Sequence, residues 1–156
     1  MLYAADTNIL LRSVEPNHPM HQETLAALAL LKSSGHSLCI FPQQIIEFWH
    51  VATRPADKNG LGFNHQQTQI EVEKIEKLFQ LILDLPAIYG AWKQLVIAHS
   101  VSGKQVYDAR IAAAMTVHSI THLLTYNTAD FKRFAAIQAI SPAVLIPPSQ
   151  SSPSHP

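Results

Sequence analysis

Short apolar runs alternate with longer stretches of helical spacing along this chain. That alternation constrains the fold first, because a strand buried on both faces needs helices to cover it. Residues 2–5 (Leu-Tyr-Ala-Ala) read as a short buried strand that stops at Asp6-Thr7-Asn8. Ile9, Leu10 and Leu11 then start a helix almost at once. Residues 20–34 are rich in Leu and Ala, and Gly35 is suited to end a helix there. A second apolar run, 37–41, leads into Pro42, which fits the first turn of a helix over 43–53. Arg54 precedes Pro55 and is expected to leave helical angles.

Beyond that point, 55–62 is polar with two glycines and reads as an exposed loop. Helical spacing resumes over 65–79, a strand is expected at 81–83, and another helix over 87–99. Ser102-Gly103-Lys104-Gln105 has the form of a capping box and predicts a helix from Ser102. Residues 122–125 suit a strand, 129–134 a short helix, and 137–146 a last strand interrupted by Pro142. The pattern predicts one α/β domain over 1–146, with a largely parallel sheet. Residues 147–156 form a Pro/Ser tail with nothing to bury, expected to be mobile. In such sheets ligands sit beyond the carboxyl ends of the strands. Asp6 and the 125–130 segment are both expected there.

Composition narrows the classes. Hydrophobic residues make up 47% of the 156 and charged residues 14%, a globular rather than a disordered balance. The apolar segments are interrupted before the roughly 20 residues that a membrane helix needs. The opening residues lack the basic region of a secretory signal, so a cytoplasmic protein is expected. The single cysteine, Cys39, leaves no partner for an internal disulfide and, within an apolar run, reads as a buried thiol. Eleven basic and eleven acidic residues give a formal charge of zero. That argues against a nucleic-acid binder held by a broad basic surface. An enzyme that meets phosphate through a metal and a few local cations stays open.

Four acids carry the chemistry. Asp6 follows its strand directly and has the position of a helix cap, but Thr7 and Asn8 offer the same service. Asp6 is therefore free to face a metal. Glu47 lies among Ile45, Ile46, Phe48 and Trp49, where a carboxylate needs a partner. Asp108 shares i, i+3, i+4, i+7 spacing with Ile111, Ala112 and Met115. With a helix from Ser102, it falls beyond the first turn and on the buried stripe. Arg110 is a poor local partner for it, since i+2 points elsewhere on a helix. Asp130 is ambiguous: it suits a site and equally the positive end of the short helix behind Thr128, and Asn127 and Thr125 are alternative polar members.

Ala5-Asp6-Thr7-Asn8-Ile9-Leu10-Leu11, the helix bearing Glu47, Tyr107-Asp108-Ala109-Arg110-Ile111-Ala112-Ala113 and Leu123-Leu124-Thr125-Tyr126-Asn127-Thr128-Ala129-Asp130-Phe131 occur in an order that resembles the PIN-domain nucleases. The likeness is greatest to the VapC-like toxins of bacterial toxin–antitoxin pairs and runs to about Ile146. It implies a three-layer fold, with a twisted sheet of four or five short strands between helices. It implies an acidic quartet of Asp6, Glu47, Asp108 and Asp130 that binds Mg²⁺ or Mn²⁺, and hydrolysis of RNA. It also implies a homodimer and a cognate antitoxin partner.

Hard cations prefer oxygen ligands and often retain water, which answers the mutual repulsion of such acids. Asp6 and Asp108 are expected as main ligands, with Glu47 holding the ion or its water and Asp130 completing the pocket. Thr7 and Asn8 are expected to orient Asp6, and Thr125 to do the same beside Asp130. Arg12, Arg54, Arg110, Lys132 and Arg133 are candidate phosphate contacts, although for each one taken singly a solvated surface charge is the stronger reading. Tyr107, Tyr126 and Trp49 have faces on which bases stack. The nine histidines show no zinc-site spacing. Competing functions are a PIN-like RNA-processing nuclease outside a toxin pair, a non-catalytic binding module, and an Asp6-nucleophile phosphatase. The last wants a second acid two residues on, where Asn8 stands.

Overall fold

The computed structural model describes residues 1–147. Five strands, β1 (Leu2–Ala5), β2 (Ser37–Ile40), β3 (Gln80–Leu81), β4 (His122–Leu124) and β5 (Gln138–Ile140), form one sheet in the order β3-β2-β1-β4-β5. Every pairing is parallel. Seven α-helices flank it among the described residues: α1 (Thr7–Ser13), α2 (His21–Ser33), α3 (Pro42–Thr53), α4 (His65–Leu78), α5 (Ala87–Ala98), α6 (Gln105–Val117) and α7 (Pro142–Leu145).

Strand alternation sorts these helices into layers. Ala4 is in register with Cys39 and with Leu123, and the three point to one face, against α5 and α6. Tyr3, Ala5, Leu38, Ile40 and Leu124 point to the other face, where α1, α2, α3 and α4 supply Leu10, Leu28, Phe48 and Ile75. The result is a three-layer α/β fold. Parallel neighbours each need a crossover, and the helices provide it. Burial pushes the Cys39 thiol up to about 12, in keeping with an inert core residue.

The boundaries differ from the expectations where turn chemistry decides. Gly103 has φ +61°, so the chain turns at Gly103-Lys104 and α6 starts at Gln105, without a capping box at Ser102. The third strand is Gln80–Leu81, one residue earlier than expected and two residues long. The last strand ends at Ile140, and Pro142 opens α7 instead of interrupting a strand, since proline suits a first helical turn. The short helix after β4 is a 3-10 turn, Thr128–Phe131. Of the Pro/Ser tail, residues 148–156 lie outside the described residues.

Candidate active site

Strand order reverses between β1 and β4: β2 and β3 lie to one side, β4 and β5 to the other. A crevice opens at the carboxyl ends of the strands at such a switch point. Asp6 and Thr125 are the residues that follow β1 and β4, and backbone bonds hold both in place. The Asp6 N–H donates to the Leu124 carbonyl at 2.9 Å, and the Thr125 N–H to that of Ile140 at 3.0 Å.

Asp6 keeps extended angles (φ −71°, ψ 159°) as α1 opens, and its Oδ1 accepts the Thr7 N–H at 2.7 Å. One oxygen therefore does act as a helix cap. Oδ2 accepts from the Thr125 hydroxyl at 2.6 Å and from Asn8 Nδ2 at 3.2 Å. Thr125, expected to act beside Asp130, instead has its hydroxyl bound to Asp6. The Asn8 side chain also accepts the Tyr126 N–H at 3.2 Å, tying the two strand ends together.

Glu47 is half-buried on α3, and both its oxygens are held. Oε1 accepts from Gln43 Nε2 at 2.6 Å and Oε2 from the Thr7 hydroxyl at 2.8 Å. Thr7 thus orients Glu47 with its side chain and Asp6 with its amide. The start of α3 is set by Gln44, which is fully buried, accepts the Phe41 N–H at 3.2 Å and donates to the Ala5 carbonyl at 3.2 Å. That contact docks α3 on the end of β1, one residue before Asp6.

A cleft of about 680 Å³ opens over this arrangement. Its walls include Thr7, Glu47 and His50 on one side, Lys104, Tyr107 and Asp108 on another, and Asn127 and Asp130 on a third. Asp6 is almost wholly buried beside Thr7. The apolar stripe of α6 is present, with Ile111, Ala112 and Met115 all buried, but Asp108 stands half-buried at its cleft end. Because α6 starts late, Asp108 falls in the first turn, where a helix favours an acid. The dipole accounts for one acid and not for four.

The four carboxyls act on one another. Burial pushes the Asp108 carboxyl up to about 7, and the charges of Asp6, Asp130 and Glu47 add to this against the pull of Lys104. Burial raises Asp6 too; its bonds from Thr125 and Thr7 oppose the rise, and Glu47 and Asp130 reinforce it. Among the described residues, no group of three or more His, Cys, Asp or Glu side chains is set to hold a metal ion directly. An all-oxygen set around an open cleft fits a hydrated hard cation, which can reach carboxylates through its own water. Asp6, Glu47, Asp108 and Asp130 are the residues able to hold it.

None of the five expected phosphate-binding cations is among the residues that line this cleft. Arg12 pairs with Glu15, Arg110 with Asp84, Arg54 donates to the Asn59 carbonyl, and Arg133 to Gln105. Lys132 borders a separate hollow beside β5. Lys104, which sequence reasoning passed over, is the cation on the cleft wall. Gln43 was also passed over, although its place four residues before Glu47 on a helix was a usable signal. Of the aromatic candidates, Tyr107 lines the cleft and is 58% exposed. Trp49 packs near His65, and the Tyr126 hydroxyl is bonded to Thr24.

No family model and no curated protein matches the sequence. Solved structures do match the fold. VapBC-1 from nontypeable Haemophilus influenzae aligns at TM-score 0.67 and 19% identity, over 92% of this chain and 99% of that one. VapBC2 from Rickettsia felis, bound to a DNA fragment from its promoter, aligns at 0.66 and 17%, over 90% and 98%. Mycobacterium tuberculosis VapC20, a sarcin-ricin loop cleaving toxin, aligns at 0.57 and 14%, over 78% and 86%. No helix among the described residues is long and apolar enough to cross a membrane. With five parallel strands, three layers and these neighbours, the protein has the fold of the VapC toxins, the PIN-domain proteins that its motifs resemble.

Proposed function

We propose that this protein is a Mg²⁺- or Mn²⁺-dependent endoribonuclease, hydrolysing RNA phosphodiester bonds as the toxin of a toxin–antitoxin pair. The observation that carries the reading is the convergence of Asp6, Glu47, Asp108 and Asp130. Burial, then the charges of Asp6, Asp130 and Glu47, raise the cost of ionising Asp108, and a cation removes that cost. The kinship in fold with VapBC complexes supports the antitoxin partner. Leu83, Tyr89 and Ile97, each about two-thirds exposed around α5, supply apolar surface that suits a homodimer. A cytoplasmic place goes with that role.

A divalent ion, when bound, lowers the pKa of water and screens the phosphodiester charge. The rest falls to the chain's own side chains. Asp6 and Asp108 would hold the ion, and Thr125 and Asn8 fix the orientation of Asp6 Oδ2. Glu47, fixed by Thr7 and Gln43, serves as a further carboxylate on the cleft wall, able to accept the proton of an attacking water. Asp130 and Asn127 close the opposite side. Lys104 offers a charge to the phosphate, and exposed Tyr107 a face to an unpaired base. A phosphatase is disfavoured because Asn8, which donates to Asp6, occupies the place of the second acid.

The test is purified protein with single-stranded and structured RNAs and Mg²⁺ or Mn²⁺, alongside Asp6→Asn and Asp108→Asn. Cleavage is expected with either ion and lost in both variants. Cleavage that survives EDTA, or both substitutions, overturns the proposal.

A further inference from the structure

The side-chain amide of Gln43, 7% exposed in the first turn of α3, joins two elements that carry acids. Its Nε2 donates one hydrogen to Glu47 Oε1 at 2.6 Å and one to the Tyr107 carbonyl at 2.9 Å, the residue before Asp108. Its Oε1 accepts from Arg110 Nη1 at 3.2 Å, and Arg110 Nη2 donates to Asp84 Oδ2 at 2.9 Å. The orientation of the amide has one solution. Turned over, it would set its oxygen against a carboxylate and a carbonyl, and its NH₂ against a guanidinium.

We infer that Gln43 is a positioning residue that fixes the Glu47 carboxylate and ties it to the head of α6, with Arg110 and Asp84 locking the amide. The inference rests on the nuclease reading above. A free glutamate carboxylate samples several rotamers, and a site that must gather ligands from separate helices loses affinity when they wander. Gln43 removes that freedom at Glu47 and, through the Tyr107 carbonyl, joins it to the turn that presents Asp108. Arg110 then has an assigned task outside the cleft lining, as the partner of Gln43 and Asp84.

The experiment measures Mn²⁺ binding by calorimetry in the wild type, Gln43→Leu, Glu47→Gln and the double variant. Gln43→Leu is expected to weaken Mn²⁺ binding about tenfold to a hundredfold, the usual effect of losing a residue that orients a ligand. In the Glu47→Gln background the same change is expected to add little, because Gln43 acts through that carboxylate. A purely structural bridge would lower affinity equally in both backgrounds, which overturns the inference, as does unchanged affinity. Arg110→Gln, nearer the surface, leaves the core filled and is expected to weaken binding in the same direction by a smaller factor. No change in Arg110→Gln would break the proposed lock. Wild-type protein that takes up no Mn²⁺ overturns the nuclease reading itself, an outcome distinct from the others.

Discussion

The Thr125 hydroxyl donates to Asp6 Oδ2 across 2.6 Å, joining residues 119 positions apart at the ends of two adjacent parallel strands. Thr125 is fully buried, so its hydrogen bond has no water to replace it.

Thr125→Val keeps the shape and removes the bond. It also takes the acceptor from the Asn127 N–H, which donates to Thr125 Oγ1 at 3.0 Å. A loss of about 1–3 kcal/mol is expected, read from the urea midpoint at pH 7. Because this bond opposes the raised pKa of Asp6, the variant should also bind Mn²⁺ more weakly at pH 6 than the wild type does.

Metal-free protein should lose stability as pH rises from about 4 toward 7. Asp108, raised to about 7 in the folded state, holds its proton there more tightly than the unfolded chain does. The folded state therefore binds more protons across that window, and the preference is lost once both states are ionised. Asp6 acts in the same direction. Thermal melts in EDTA should show a falling midpoint, with a shallower fall in Asp108→Asn. A midpoint that rises through this range would contradict the raised pKa.

Lys104→Ala should weaken RNA binding and, by removing the charge that pulls on Asp108, raise that carboxyl further. Losing one phosphate contact to a single strand lowers the slope of log K against log salt by about 0.7. Fluorescence anisotropy on an Asp6→Asn background, which prevents cleavage, reads the slope. An unchanged slope would remove Lys104 from the substrate path.

Gln44→Leu should destabilise the protein by about 1–3 kcal/mol for each polar group it orphans, here the Ala5 carbonyl and the Phe41 N–H. Calorimetric melting gives the sum, and hydrogen exchange should show the first turn of α3 opening first. Protection unchanged at that turn would mean that the capping contact contributes nothing.

Much of this arrangement was legible in the chain. Apolar runs at 2–5, 37–41 and 122–125 became β1, β2 and β4 nearly residue for residue, because strands buried on both faces leave a continuous hydrophobic signal. The edge strands were less legible: β3 and β5 are two and three residues long, too short for any period to register. Around Ser102 the capping-box pattern misled, since the positive φ of Gly103 makes a turn where the pattern asks for a helix.

Asp6, Glu47, Asp108 and Asp130 could each be singled out by local context, as acids beside apolar neighbours or just after a strand. Their partners could not. Nothing in sequence spacing pairs Thr125 with Asp6 in place of Asp130, or Gln43 with the Tyr107 carbonyl across 64 positions. Nor does it assign Arg110 to Asp84 and Gln43 rather than to phosphate. Periodicity and turn residues are local quantities, and they were enough to determine a parallel α/β chain with acids at its strand ends. Which side chains share a hydrogen, and hence how each carboxylate is aimed and charged, depends on the register of β1 against β4 and the docking of α3 on α6. Those contacts come into being only when the sheet has closed and its helices have packed.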